Sequence, residues 1–373
     1  MLEEKKIVDT IYTAMQKKFG STQSIYRLTD PQSPVNVKNW LPTGCTPLDI
    51  IISNRMKRGI PSGRISVING LKQTGKSLLL ATILAKAQAL DAITVFIDNE
   101  FAVDKSFYDA IGLDTSRLIY LNLEYIEDIL QAIEDITIEI RKDEGNRNIV
   151  IGVDSVAGAK TKADLTNDYD KSGYNTQKAI ILSQKLPKIV SLIAKFDVAM
   201  IFTQQLRTGL GIQFGDKFVN ASGGMALDFY ASLIIRLKQI AKIKSNDGLV
   251  VGTKITAKTE KNRMGPPFKT ADFEIYFDSG IDDSKSCLEM LEKYGAIEGK
   301  ISKSIVPGEL LTKLTEAGLW QPNEKFRNDR WRELMNNPIF YNIIGEELAR
   351  LNVVKYSGFM GDESNITEPA PEE

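Results

Sequence analysis

The sequence predicts an α/β protein: a mostly parallel sheet with an antiparallel extension, an N-terminal helix and a small helical C-terminal domain. Three observations carry that expectation. From about residue 35 to 280, short β-rich runs alternate with helical ones, and such alternation builds βαβ units whose parallel sheet is covered on both faces. Early in this stretch a glycine-rich turn, Gly70 to Ser77, lies between a strand-like and a helix-like run. Late in it come three β-rich runs separated only by turns, the arrangement of an antiparallel meander.

In chain order, residues 3–19 place Ile7, Ile11, Met15 and Phe19 at helical spacing and end at Gly20, so they form one amphipathic helix. A lone helix cannot bury its own stripe; it must dock on its own core or on a neighbouring subunit. Arg64–Asn69 is a strand and Ser77–Leu90 a helix. Ile93–Asp98 and Leu118–Asn122 are strands, and Glu124–Lys142 is a long helix. Asn148–Asp154, the helix Thr176–Lys195 and the strand Val198–Thr203 follow. Ala231–Arg236, Gly252–Ala257 and Asp272–Phe277 make the antiparallel extension. Beyond residue 285 the pattern turns helical, with Ser286–Tyr294, Pro307–Ala317 and Phe326–Leu351 punctuated by Gly295, Gly299 and Gly318. No repeat of 20–50 residues is present.

Composition narrows the chemistry. The 373 residues include no histidine, which excludes a Ser-His-Asp triad, a Cys-His pair, His-ligated zinc and an imidazole base. Acid–base work must fall to carboxylates, lysine, tyrosine or water. Cys45 and Cys287 cannot make a Cys-only zinc site, and a disulfide framework is not expected of two cysteines so far apart, so a reducing cytosol is expected. The polar start Met1-Leu2-Glu3-Glu4 is not a secretory signal, and no apolar run is long enough to span a bilayer. The net charge is −1, which argues poorly for a nucleic-acid binder. However, residues 362–373 hold five carboxylates and no base; without them 47 basic groups face 43 acidic ones. This tail reads as disordered, either a solubilising terminus or a competitor for a nucleic-acid site.

The strongest local signal is Gly70-Leu71-Lys72-Gln73-Thr74-Gly75-Lys76-Ser77, a complete G-x-x-x-x-G-K-S after a strand and before a helix. Its glycines let backbone N–H groups wrap phosphates at a helix N-terminus. Lys76 would neutralise the β- and γ-phosphates and the Ser77 hydroxyl would ligate Mg²⁺. A second metal-side group is expected at the end of the apolar strand Ile149–Asp154, making Asp154 the candidate. Hydrolysis also needs a group to polarise water. The strand ending Asp98-Asn99-Glu100 offers two carboxylates, and chemistry alone does not choose between Asp98 and Glu100.

With these motifs in place the chain resembles the RecA recombinases of bacteria and their bacteriophage relatives, over roughly residues 10 to 282. Lys18-Phe19-Gly20 with Ile25-Tyr26-Arg27-Leu28, Thr43-Gly44-Cys45-Thr46-Pro47-Leu48-Asp49, Gly63-Arg64-Ile65 and Val153-Asp154-Ser155-Val156-Ala157 are similar to the family's segments. Phe96-Ile97-Asp98-Asn99-Glu100, followed by Asp104 and Gly112, resembles the stretch whose glutamate is the catalytic base, which selects Glu100. The resemblance adds Asp104 and Phe107 to the nucleotide site, Phe107 standing where a tyrosine stacks on adenine. Ile201-Phe202-Thr203-Gln204-Gln205-Leu206-Arg207 looks like the strand whose last glutamine, here Gln205, senses the γ-phosphate. Lys261-Asn262-Arg263 resembles the segment whose two cations reach a neighbouring subunit's ATP, comparable to arginine fingers.

The family also implies DNA-binding loops. The span Leu206–Ser222 carries Arg207 and Lys217 for phosphates and Leu210 and Phe214 as apolar wedges. It closes on Gly223 and Gly224. A second loop, Asp164–Gly173, is acidic here, and Tyr174 just beyond it is the candidate contact with bases. Lys258, with Arg236, Lys238, Lys242 and Lys244, could hold a second strand or form a solvated basic face. The chain departs from the family in the P-loop interior (Leu71 to Thr74), at Phe101, Phe107 and Asp228, and through most of the C-terminal region, marking a divergent member.

The expected organisation is therefore an N-terminal oligomerisation helix and linker (1–34), an ATPase core with DNA-binding loops (35–283), a small C-terminal domain (284–361) and an acidic tail (362–373). The resemblance implies a RecA-like P-loop NTPase core and a cytoplasmic, DNA-dependent ATPase with ATP and Mg²⁺ as cofactors. It would form helical filaments on single-stranded DNA and exchange strands with homologous double-stranded DNA, with a single-strand-binding or mediator protein as a further implied partner. The rivals are a hexameric RecA-fold helicase or motor, a P-loop small-molecule kinase, and a nucleotide-gated DNA binder without strand exchange.

Overall fold

The computed structural model describes residues 2–20, 25–27, 33, 36–100, 105–143, 147–165, 174–208, 218–220 and 224–353. Helix α1 (Leu2–Phe19) stops at Gly20, whose N–H donates to the Gln16 carbonyl. Among the described residues nothing covers its stripe: Ile7, Val8 and Ile11 are 59%, 58% and 56% exposed. The ribbon β1 (Trp40–Leu41) and β2 (Ile60–Pro61) pairs antiparallel around helix α2 (Thr46–Ser53), whose apolar residues are buried.

The core then alternates as its pattern requires: β3 (Ile65–Gly70), α3 (Lys76–Ala89), β4 (Ile93–Asp98), α4 (Lys105–Ala110), β5 (Leu118–Asn122), α5 (Ile126–Asp143), β6 (Ile149–Asp154), α6 (Tyr174–Phe196) and β7 (Val198–Thr208). After β8 (Phe218–Asn220) and α7 (Gly224–Tyr230) come β9 (Leu233–Lys244), β10 (Val250–Asn262), β11 (Thr270–Tyr276) and β12 (Gly280–Ile281). Among the described residues these strands form one ten-stranded sheet, ordered β12-β11-β10-β9-β3-β7-β6-β4-β5, with β8 on β7. The path from β9 to β5 is parallel, and the β9–β10–β11–β12 side is antiparallel.

Each central strand is buried on both faces, and its alternation feeds two cores. Ile65, Val67, Val95, Ile97, Ile151, Val153, Met200 and Phe202 pack towards α5, α6 and α7. Ile68, Phe96, Val150 and Ile201 pack towards α2 and α3. Helix α3 lies close on the sheet because β6 has a glycine beneath it: a Cβ at Gly152 would sit 2.8 Å from Leu80 Cδ1.

Two strands are longer than their apolar runs suggest. β9 continues through Lys244 and β10 starts at Val250, joined by a turn in which the Ser245 N–H donates to the Leu249 carbonyl (2.8 Å). Main-chain pairing extends the hairpin past the core, where side chains are exposed and carry no burial signal.

The C-terminal residues form α8 (Asp283–Lys293), β13 (Ile297–Glu298), β14 (Lys303–Ile305), α9 (Glu309–Glu316), β15 (Lys325–Phe326), α10 (Asn328–Met335) and α11 (Pro338–Asn352). Two features differ from the sequence reading. The stretch 326–351 is two helices, because Asn337 Oδ1 accepts from the Ile339 and Phe340 N–H groups (2.9 and 3.4 Å) and starts α11 at Pro338. A three-stranded sheet also forms from β13, β14 and β15, strands too short to show a period. Trp331 is buried between Phe326 and Phe340, and its ring N–H donates to the Ser284 carbonyl (2.9 Å). This region shares one apolar cluster with α2 and α3. Asp283 accepts from Thr46 Oγ1 (2.8 Å) and the Tyr341 hydroxyl (3.2 Å), and Asn352 donates to the Ile50 carbonyl (3.1 Å).

Candidate active site at the carboxyl edge of the sheet

Strand β3 ends at Gly70 and α3 begins at Lys76, so the glycine-rich loop bridges them where α3 presents its unpaired N–H groups. Gly75 sits at φ +81°, a left-handed turn suited to glycine. The Thr74 hydroxyl donates to the Leu71 carbonyl (2.9 Å), and so does Lys76 Nζ (2.8 Å). The lysine thus lies over its own loop. Burial pushes its pKa down, while the charges of Asp154 and Glu100 hold it up.

Strand alternation assembles the rest. Asp98 follows Phe96, Asp154 follows Gly152, and Thr203 and Gln205 follow Ile201, all on the face that carries α3. Register aligns them across the edge: Asp98 opposite Asp154, and Gln205 opposite Gly70. Asp154 is buried, and burial raises its carboxyl pKa; hydrogen bonds from Ser77 and Thr203 oppose that rise, and the charges of Glu100 and Asp98 add to it.

The Ser77 hydroxyl and Asp154 carboxylate are therefore adjacent hard-oxygen donors. Among the described residues no group of three or more His, Cys, Asp or Glu makes a metal cage. Two protein oxygens, completed by water and phosphate oxygens, suit a small divalent cation that keeps its waters.

The two candidate carboxylates have different surroundings. Asp98 is buried, accepting from the Glu100 N–H (2.8 Å) and the Tyr120 hydroxyl (3.0 Å). Glu100 is exposed, and its Oε1 accepts from Ser155 Oγ (2.6 Å). Ser155 is fixed in turn by Asn99, whose amide donates to its carbonyl (2.7 Å) and accepts from its N–H (2.9 Å). Asn99, Tyr120, Ser155 and Thr203 were missed as site residues in the sequence. The signal for Asn99 and Ser155 was adjacency to Glu100 and Asp154; Tyr120 and Thr203 needed the sheet register.

Gln204 points the other way. It is fully buried on the α6/α7 side, and neither its Oε1 nor its Nε2 has a hydrogen-bond partner among the described residues. Asn69, opposite it in β3, also has an unpartnered Oδ1, while its Nδ2 reaches Glu260 Oε2 (3.3 Å).

Phe107 is half-buried on α4, packed against the α3-side core, its ring centroid 6.0 Å from that of Tyr108. Lys261 and Arg263 sit at the opposite edge of the sheet: Leu233 pairs with both Asn262 and Ser66, whereas Gly70 pairs with Leu237. Four residues of strand, about 13 Å, and two inter-strand spacings of about 5 Å separate them from the P-loop of their own chain. Lys261 Nζ donates to the Asp228 and Phe229 carbonyls at the end of α7 (2.7 and 3.0 Å). Lys258 is exposed, with its Nζ 5.7 Å from the Phe268 ring centre, and the neighbouring Arg236 is paired with Glu260 (2.8 Å).

Asp104, Leu210, Phe214, Lys217 and Gly223 lie outside the described residues. Tyr174 opens α6, Gly224 opens α7, and Arg207 lies in β7 opposite Val219 of β8. The two ends of that expected DNA loop, 206–208 and 218–220, thus pair as a short antiparallel ladder.

A strand–P-loop–helix unit, with a buried carboxylate beside the loop serine and a tethered glutamate on the same edge of a mainly parallel sheet, defines a P-loop ATPase. The chain belongs to the RecA family: the profile of the RecA N-terminal domain matches residues 6–282. Protein RecA of Chlamydia abortus is 32% identical over 298 residues, 80% of this chain and 82% of that protein. Protein RecA of Bifidobacterium longum is 32% identical over 296 residues, covering 79% and 71%. Protein RecA of Symbiobacterium thermophilum is 32% identical over 287 residues, covering 77% and 78%. The protein is accordingly a RecA-type recombinase, an ATP-hydrolysing, DNA-dependent enzyme of recombination and repair. Family membership does not favour the ring-helicase or small-molecule-kinase readings. No described helix is long and apolar enough to cross a membrane.

Proposed function

We propose that the protein works as a cytoplasmic head-to-tail filament on single-stranded DNA, with ATP held between consecutive subunits, and that this filament pairs and exchanges strands with homologous duplex. The observation that carries the reading is the division of the site. The P-loop occupies one edge of the sheet and Lys261 with Arg263 the other, so one chain cannot complete the site around its own nucleotide. The uncovered stripe of α1 supports the same assembly, because a heterologous contact whose rotation does not close makes a helix of subunits.

In this reading the P-loop N–H groups and Lys76 bind the triphosphate, with Asp104 and Phe107 on the nucleoside side. Ser77 and Asp154 would hold Mg²⁺, which supplies charge neutralisation across the phosphate oxygens. Glu100, aimed by Ser155, accepts a proton from the attacking water. Lys261 and Arg263 of the next subunit steady the charge that develops on the phosphoryl group. Gln205 reads the γ-phosphate and passes its state along β7 to the loop carrying Arg207, Leu210, Phe214 and Lys217. Gly223 and Gly224 end that loop, and Tyr174 and Lys258 add DNA contacts. Residues 1–34 serve assembly, 35–283 catalysis and 284–361 a separate C-terminal role.

A strand-exchange assay with single-stranded circles, homologous linear duplex and ATP tests this reading, alongside electron microscopy with a slowly hydrolysed ATP analogue. Joint molecules and helical filaments are expected, and Lys76→Ala should abolish both DNA-stimulated hydrolysis and exchange. Closed rings, or full turnover by Lys76→Ala, would overturn it.

A further inference from the structure

At the edge opposite the P-loop, a cavity of about 660 Å³ is lined by Lys38, Arg55, Arg58 and Arg263, with Trp40 and Ser53 between them. All four cations are exposed, and among the described residues none makes an ion pair and no carboxylate lines the cavity. Four like charges around one space repel one another unless an anion enters.

Their convergence is built in. The Asn262 side chain donates to the Ile52 carbonyl at the end of α2 (2.8 Å) and accepts from the Met264 N–H (3.0 Å). That bridge holds the Lys261–Arg263 strand end against the turn that follows α2. Asn54 turns left-handed at φ +59°, and the Arg55 N–H is caught by Ser53 Oγ (3.2 Å), setting the Ser53–Arg58 turn beside Arg263. Lys57, in the same turn, points away to the Tyr341 ring, 5.3 Å from its centre. The cavity therefore takes two arginines of the turn and leaves out the lysine between them.

We infer that Arg55 and Arg58, with Lys38 at the rim, form with Arg263 a phosphate pocket for the triphosphate bound to the neighbouring copy of this chain. The inference rests on the head-to-tail reading above, and adds to Lys261 and Arg263 a set of cations from the turn after α2. The neighbour's nucleotide is the occupant favoured over a DNA backbone. The pocket shares its edge with Lys261 and Arg263, and a head-to-tail stack brings that edge onto the next P-loop. The planar, forked guanidinium groups suit phosphate oxygens in two-point contacts.

The test is complementation in mixed filaments. The R55A/R58A protein should bind ATP through its intact P-loop yet lose DNA-stimulated turnover by about 10- to 100-fold, while R55K/R58K recovers part of it. Mixed in equal amounts with Lys76→Ala protein, R55A/R58A should regain about a quarter of wild-type turnover, the fraction of randomly formed head-to-tail interfaces with both halves intact. A parallel mixture of Lys261→Ala with Lys76→Ala tests the underlying reading. If that mixture recovers and the R55A/R58A mixture does not, the pocket assignment alone fails; if neither recovers, the shared-site reading fails. Wild-type turnover by R55A/R58A overturns the assignment. So does weakened single-strand binding without nucleotide at unchanged KM for ATP, which would give the pocket to DNA.

Discussion

Replacing Glu100 by glutamine separates the two carboxylates that end β4. The substitution keeps an Oε1 acceptor for Ser155 Oγ, now 2.6 Å away, so side-chain placement should survive while the capacity to take a proton is lost. General-base catalysis contributes about 10²–10⁴ in rate, or roughly 2.7–5.5 kcal/mol of barrier at 1.36 kcal/mol per decade. ATP affinity should hold, because the P-loop, Lys76 and Ser77 are untouched. Asp98→Asn is the control. Its Oδ1 still accepts from the Glu100 N–H, and the Tyr120 hydroxyl can reverse to accept from the new amide. It should cost less than about tenfold. Ser155→Ala falls between, since a hydrogen bond to a charged acceptor is worth about 1.5–3 kcal/mol. The assay is single-turnover phosphate release on single-stranded DNA, with nucleotide affinity measured separately. Near-wild-type release by Glu100→Gln, or a larger loss in Asp98→Asn, would refute the assignment of the base.

Gln204→Met should raise the melting temperature of the nucleotide-free protein by a few degrees, because an unpartnered buried amide costs about 1–3 kcal/mol; an unchanged or lower value in thermal unfolding would show that the amide is satisfied in solution. Asp49, buried in α2, has its carboxyl pushed up to about 8 by burial from an ordinary 3.8, despite accepting from the Thr43 N–H and hydroxyl (2.9 and 2.7 Å). The folded protein therefore keeps a proton that the unfolded chain releases. This contribution is complete below about pH 4 and is lost by about 1.4 kcal/mol per unit as pH rises towards 8. Asp49→Asn should flatten the dependence of stability on pH across that window, and denaturant titrations giving equal slopes for both proteins would count against the buried proton. Deleting residues 362–373 should speed binding to single-stranded DNA, most at low salt; stopped-flow traces that match the full chain at low ionic strength would return the tail to a solubiliser.

Much of the fold was legible because it rests on local rules. Alternating β and helical runs located the central strands, Ile93–Asp98 and Leu118–Asn122 to the residue, and the glycine-rich loop announced itself by spacing. Local signals fade at the remaining elements. The exposed arms of β9 and β10 have pairing without burial, and β13 to β15 are too short for a period. The break at Asn337 depends on one side chain capping a helix that composition alone would have continued.

The sequence by itself determined the chemistry: a phosphate loop, a lysine, a serine and carboxylates at strand ends, with histidine chemistry excluded. Only tertiary structure showed how the two carboxylates differ: Asp98 is buried and accepts from the Tyr120 hydroxyl, whereas Glu100 is exposed and accepts from Ser155 Oγ. It also decided where the remaining cations stand. Strand register carries Lys261 and Arg263 to the edge opposite their own P-loop, and the Asn262 bridge to Ile52 gathers Arg55 and Arg58 beside them. Those residues lie about 200 positions apart in the chain, and no sequence period encodes a proximity that hydrogen bonds between distant segments create.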